Sequence, residues 1–471
     1  PLLWVVPLAL YLLTFIAAFS ATGRGLHRVT RRVVPVLVVA AVVALLVRAS
    51  HPLGLIVVLH LAAFVAVALG CHARLAAMRP PPVGLTRYYL FLSLGGVIGG
   101  SFNALLAPLL FDWIAEYPIA LAAGAALAVG GVDPRIGIKR RGFAARALPG
   151  CAVATAAVVI LAFPVTWPAN AWLGFVGAAS VAAYVVSQRP MSFGVAIAGV
   201  LLAPGWLRPD EDILARERTF FGVHTVLVER EGEVRRHALR HGGTVHGLQT
   251  PGDQTPLTYY HPTGPLGEVF DATDADGRRI GAIGLGVGSL AGLAGRGDRV
   301  TFFEIDRAVI DLARDPALFS YLSDSRASIE TVVGDGRLTI DGEGPFDLIV
   351  LDAFTSDAIP VHLLTAEALA VYLAELAPGG LIAVHVSNRH LDLVPVVGST
   401  AARAGLSGVW REDQATLMEE RFGKAQSTWC VLARDGTVLG PFDRGWSPLE
   451  PGSARAWTDD YANILATIRL D

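Results

Sequence analysis

Residues 1–206 are built of long apolar runs broken by short arginine-bearing loops, and no other feature limits the fold of this 471-residue chain so strongly. The runs cover 2–20, 33–47, 53–70, 88–110, 117–131, 147–165, 170–187 and 192–205. Several approach the roughly 20 residues that a helix needs to cross the hydrocarbon of a bilayer. A soluble core would instead alternate apolar and polar positions at the helical period. Charge divides the chain at the same place. Residues 1–206 carry three acids (Asp112, Glu116, Asp133) against fourteen lysines and arginines, whereas 207–471 carry 38 acids and 24 bases. The two parts are therefore +11 and −14, a contrast hidden in the net charge of −3. The expectation is a polytopic α-helical membrane domain over 1–206 with seven or eight transmembrane helices. A soluble part long enough for one α/β domain with a small appendage follows.

The basic loops orient the membrane part. Arg24, Arg28, Arg31 and Arg32 follow the first run, Arg74, Arg79 and Arg87 the third, and Arg135, Lys139, Arg140, Arg141 and Arg146 the fifth. The positive-inside bias puts those loops in the cytoplasm. Seven crossings then deliver the soluble part to the cytoplasm, and eight deliver it outside. The last run is short and ends in Pro204-Gly205, so seven crossings are favoured. The expected location is the cell inner (plasma) membrane, multi-pass, with the soluble domain in the cytoplasm. Pro1 lies inside an apolar segment without an initiator methionine or charged leader, which reads as a truncated start with helices upstream. Within residues 94–103, Gly95, Gly96, Gly99 and Gly100 have the spacing of close helix packing, and Asn103, His60 and His72 add polarity. Cys71, Cys151 and Cys430 lie far apart and give no disulfide or metal-ligand spacing, so no metal is expected.

The soluble part holds four signals in order between residues 280 and 352. They are the turn Gly284-Leu285-Gly286-Val287-Gly288, the acids Glu304 and Asp306, the pair Asp335-Gly336, and the run 346–352 ending in Asp352. Residues 280–285 read as a buried strand, and glycines after it let the backbone approach a ligand at the carboxyl edge of a sheet. A second strand follows and ends at Glu304, where a ribose diol would be held. One glycine turn alone would mean little. Four signals at successive strand ends specify a Rossmann-like domain over 279–471, with 207–278 as linker and β-hairpin subdomain.

The segments Phe220-Phe221-Gly222-Val223-His224-Thr225-Val226 and Arg240-His241-Gly242-Gly243-Thr244-Val245-His246-Gly247-Leu248-Gln249, with Tyr260-His261, resemble the amino-terminal β-hairpin region of spermidine synthases. The core after them resembles that family's class-I, methyltransferase-like fold. The apolar half is similar to the family's membrane-fused bacterial branch. The resemblance implies an aminopropyltransferase that uses decarboxylated S-adenosylmethionine (or S-adenosylmethionine) and a polyamine. By position it implies cofactor contacts from Gln249, Gly284, Gly286, Gly288, Glu304, Asp306, Asp335, Gly336 and Asp352. The family's catalytic loop, Asp-Ser-Ser-Asp-Pro, corresponds to residues 352–360, two residues longer here. That implies Asp357 as the acid that helps to deprotonate the amine, beside Asp352. The family's Tyr-His-Glu becomes Tyr260-His261-Pro262, one acid fewer.

The chemistry leads to the same residue types. Aminopropyl transfer is an in-line attack by a neutral amine on a carbon next to a sulfonium. It needs carboxylates to hold a polycation and one to take a proton. Asp352, Asp357 and Tyr260 are the candidates, with His261, His385 and Asn388 as further substrate contacts. The alternative for His385 and Asn388 is structural capping of the next helix. A methyltransferase acting on a membrane or small-molecule acceptor, and a transport or sensor protein that binds polyamine or nucleoside without turnover, remain as alternatives. The lipid bilayer and a polyamine are the expected partners, nucleic acid is not, and a homodimer is left open.

Overall fold

A computed structural model describes residues 4–20, 26–47, 49, 51–130, 148–152, 154, 169–207, 212–273, 277–353, 360–388, 391–452 and 455–469. The chain divides into two compact units, Pro1–Glu211 and Asp212–Asp471.

The first unit is helical. Among the described residues three helices are long and apolar enough to cross a membrane: Leu26–Leu46, Leu53–Ala77 and Pro82–Leu110, with mean hydropathies of 2.2, 2.6 and 1.7. Shorter apolar helices cover Val5–Phe19, Glu116–Val129, Gly177–Val186 and Pro190–Leu201. Most of the run 147–165 and the basic loop 131–147 lie outside the described residues. Glycines set how closely these helices pack. A Cβ on Gly70 would sit 2.7 Å from Ala128 Cβ, and one on Gly194 2.7 Å from Ala126 Cβ. The glycines singled out in the sequence behave differently. Gly95, Gly96, Gly99 and Gly100 meet no neighbour within 4 Å among the described residues. His60 and His72 make polar pairs between helices: His60 Nδ1 lies 2.7 Å from the Tyr117 hydroxyl, and His72 Nδ1 lies 3.1 Å from Thr14 Oγ1.

The second unit opens with a four-stranded antiparallel sheet, β1 (Ile213–Thr219), β2 (Gly222–Glu231), β3 (Val234–His241) and β4 (Thr244–Gln249), paired in chain order. An eight-stranded sheet follows. Its strands are β5 (Arg279–Ile283), β6 (Arg299–Glu304), β7 (Ser328–Val333), β8 (Phe346–Leu351), β9 (Leu376–His385), β10 (Ser407–Asp413), β11 (Ser427–Ala433) and β12 (Ser447–Pro448). Their spatial order is β12-β10-β11-β9-β8-β5-β6-β7. Neighbours from β7 through to β9 run parallel; β11 and β10 return antiparallel. Helices cover both faces, so these strands read as continuous apolar runs instead of alternating ones. Phe302, Leu348, Val350 and Val431 enter one core, and Phe303, Ile349, Leu351 and Ile382 the other. The strand order reverses between β5 and β8. A cleft opens beyond the carboxyl ends of strands at such a switch point.

Candidate active site

The end of β5 is bound by backbone to β6 on one side and to the end of β8 on the other. Gly284 N donates to Phe303 O at 2.9 Å, and Asp352 N donates to Ile283 O at 2.9 Å. Gly284, Gly286 and Gly288 all have positive φ, at 100°, 56° and 83°. Each is also hemmed in by protein. A Cβ at Gly284 would lie 2.2 Å from Asp352 O, and one at Gly286 2.6 Å from His246 O. The turn thus has an internal reason for its glycines beside any ligand.

Asp352 is the centre of the site. Tyr260 OH donates to its Oδ2 at 2.5 Å, and His385 Nδ1 lies 2.6 Å from Oδ1. The Asp352 and His385 side chains are 7% and 5% exposed, so the pair is buried. His385 lies between two aromatic rings: Tyr259 stacks on one side at 4.3 Å and Trp429 on the other at 4.7 Å. The Tyr259 and Tyr260 hydroxyls are raised well above their ordinary titration range, first by burial and then by the negative charge of Asp352. Tyr260 is therefore a hydrogen-bond donor throughout the physiological range.

A strained residue presents the two tyrosines. Thr258 has φ 62°, an outlier for a β-branched side chain. Its N–H donates to Gly423 O at 2.6 Å and its carbonyl accepts from Ala425 N at 3.1 Å. Lys424 between them is buried, paired with Asp413 at 2.9 Å and Glu419 at 3.2 Å. This surrounding structure holds the unfavourable backbone in place, a pattern that concentrates at functional sites.

The remaining acids sit at neighbouring strand ends. Glu304, on β6, accepts from Leu285 N and Asp306 N, each at 3.0 Å. Burial pushes its carboxyl up, although the two amides favour the charged form. Asp306 caps the helix Arg307–Arg314 and accepts from Ala308 N at 3.0 Å. Its other oxygen meets His224 Nε2 at 2.8 Å and Thr219 Oγ1 at 2.5 Å. Burial would raise this carboxyl, but those donors outweigh it and hold it below the usual range. Asp335 caps the helix Gly336–Thr339 through Arg337 N and lies 3.0 Å from His362 Nε2. Gly336 is packed so that a Cβ would lie 2.5 Å from Ile283 Cγ2. Gln249 is buried and accepts from Ser320 N at 2.7 Å while donating to Asp253 O at 3.0 Å. His261 meets Thr263 Oγ1 at 3.0 Å; burial and then Lys424 lower its titration. Asn388 Oδ1 accepts from Leu391 N at 2.9 Å. Asp357 lies outside the described residues.

The structure thus brings together Asp352, Tyr260 and His385, and ranges Glu304 and Asp335 along the same sheet edge. Gln249, Asp306 and Asn388 hold local structure. Sequence reasoning missed Thr258, Tyr259 and Trp429. Tyr259 adjoins a chosen residue, but nothing in an apolar strand marks Trp429 as a wall of the site. Among the described residues no group of three His, Cys, Asp or Glu could hold a metal ion.

The sequence matches no protein-family model and no curated protein. The structure is similar to a probable spermidine synthase from Corynebacterium glutamicum at 16% identity and TM-score 0.38, covering 54% of this chain and 98% of that one. The spermidine synthase from Thermotoga maritima gives 12% and 0.36, covering 55% of this chain and 85% of that one. The O-methyltransferase TomG from Streptomyces achromogenes, solved with SAM, gives 18% and 0.25, covering 36% and 79%. Likenesses this weak assign no activity. The strand order and its reversal between β5 and β8 make the second unit a Rossmann-like α/β domain.

Proposed function

We propose that this chain is a membrane-anchored, aminopropyltransferase-like enzyme that transfers the aminopropyl group of decarboxylated S-adenosylmethionine to a polyamine such as putrescine. The Asp352 site carries the reading. A buried carboxylate stands at the switch point, and its partners are a tyrosine and a histidine. Among the described residues, the hydrogen-bond and ion-pair partners of Asp352 and Glu304 include no lysine or arginine. Two carboxylates without a basic partner among the described residues suit a cationic substrate. A spermidine synthase structure among the similar folds holds the transition-state analogue AdoDATO.

In this reading Glu304 takes the ribose diol, and Asp335 and Gly336 border the base. Asp352 orients the amine with Tyr260, while Asp357, on the loop after β8, accepts the proton released as the amine is alkylated. Seven crossings place the soluble unit in the cytoplasm, where such a nucleoside co-substrate is made. The deciding experiment incubates the purified full-length protein with each form of the co-substrate and a panel of amines, read by mass spectrometry. Methylthioadenosine and an aminopropylated amine are expected. S-adenosylhomocysteine would make it a methyltransferase, and binding without product a sensor or transporter.

A further inference from the structure

We propose that Ser387 and the Thr428 amide fix the tautomer of His385, and that His385 in that tautomer is the positioning residue for Asp352. Only the kinetic part of this proposal rests on the transferase reading.

Three separations form one chain at the end of β9. Thr428 N donates to Ser387 Oγ at 2.7 Å, Ser387 Oγ lies 2.7 Å from His385 Nε2, and His385 Nδ1 lies 2.6 Å from Asp352 Oδ1. The Thr428 amide only donates and takes one lone pair of Ser387 Oγ, and because the Asp352 carboxylate can only accept from Nδ1, the hydroxyl hydrogen is directed at Nε2 of the neutral ring. A ring nitrogen that accepts there carries no hydrogen, so the ring's proton sits on Nδ1 and is donated to the carboxylate. The ring is held in plane as well. Tyr259 and Trp429 stack on its faces at interplanar angles of 25° and 27°, and Trp429 is its register partner across β9 and β11. With Tyr260 on Oδ2, both oxygens of Asp352 accept from donors that cannot turn away. The carboxylate plane is thereby set for whatever enters the cleft, as outer partners set a ligating or catalytic group elsewhere. Asp, His and Ser in this order also make up a serine nucleophile's triad. Here the Thr428 amide occupies the Ser387 oxygen, and the chain is directed inward to Asp352.

The test uses full-length protein, labelled with nitrogen-15 at histidine and held in lipid nanodiscs. His385→Gln identifies the His385 resonances by their loss. The parent should show Nδ1 protonated and Nε2 bare. Ser387→Ala should give a mixture of tautomers, and Ser387→Thr, which restores the hydroxyl, should return the parent pattern. A proton on Nε2 in the parent, or a Ser387→Ala spectrum identical to the parent's, overturns the proposal. In the transferase assay Ser387→Ala should lower kcat by roughly tenfold at unchanged KM, with recovery in Ser387→Thr. An unchanged kcat in Ser387→Ala overturns the positioning role. If the parent yields no product from any co-substrate and amine, the transferase reading fails, and the tautomer pattern still decides the remainder.

Discussion

Asp352 directly follows β8 and His385 ends β9, its parallel neighbour, and their side chains meet at 2.6 Å across the carboxyl edge of the sheet. The acid at the switch point is thereby tied to the next strand as well as to Tyr260. Asp352 is held on both oxygens, which suits an orienting role, and the proton is left to a neighbouring group. Asp357→Asn keeps shape and removes the proposed acceptor. It should lower kcat by about 10²–10⁴-fold, with co-substrate affinity little changed. Normal turnover by this variant beside a dead Asp352→Asn would move the base to Asp352. Parental activity in both would remove the loop from catalysis.

Glu304 gives a binding test. A charge-assisted hydrogen bond to a diol contributes about 1.5–3 kcal/mol, so Glu304→Gln should weaken methylthioadenosine binding by about tenfold or more. Calorimetry that returns the parent affinity would take Glu304 out of the site.

Asp306 gives a stability test with a defined sign. Its carboxyl titrates lower in the folded protein than its ordinary value of 3.8, because His224, Thr219 and Ala308 N outweigh the effect of burial. The stability it contributes is present above that ordinary value and is lost as pH falls through the depressed one. Asp306→Asn should cost about 2–4 kcal/mol at neutral pH, since it breaks a buried pair. Denaturation across acid pH should then show a shallower decline in the variant. A decline as steep as the parent's would contradict the assignment.

Topology is tested directly. With seven crossings, a reporter fused after Asp471 and a cysteine introduced at Arg208 should both be cytoplasmic. Labelling of that cysteine by an impermeant reagent in intact cells would place the soluble unit outside, and the argument from a cytoplasmic co-substrate would fail with it.

The sheet was legible in sequence because a doubly covered strand is an apolar run, and the runs ending at Ile283, Glu304 and Leu351 are β5, β6 and β8. Tyr260 could be read from its neighbours in the motif. The partners of Asp306 could not, because His224 lies 82 residues away on another sheet. Thr258 was equally hidden: its positive φ is imposed by Gly423 and Ala425, and threonine by itself argues against it. His385 read as a capping or substrate residue because its stacking partners come from a loop and a strand far away in sequence. The glycine stripe at 95–100 had the spacing of a packing face, but spacing cannot say which neighbour is present.

The contact of Gly286 with His246, 2.6 Å from a would-be Cβ to the carbonyl, has a consequence for how this unit is inherited. Gly247 repeats it, since a Cβ there would strike Val287 at 2.4 Å. β4 and the turn at 284–288 are moulded on each other, and Asp306 fastens β1 and β2 to the helix Arg307–Arg314. A cut between residues 278 and 279 would not release a smaller working domain. It would strip one wall from the turn, so the four-stranded sheet and the core should melt in one transition and should tolerate recombination between relatives only as a single block.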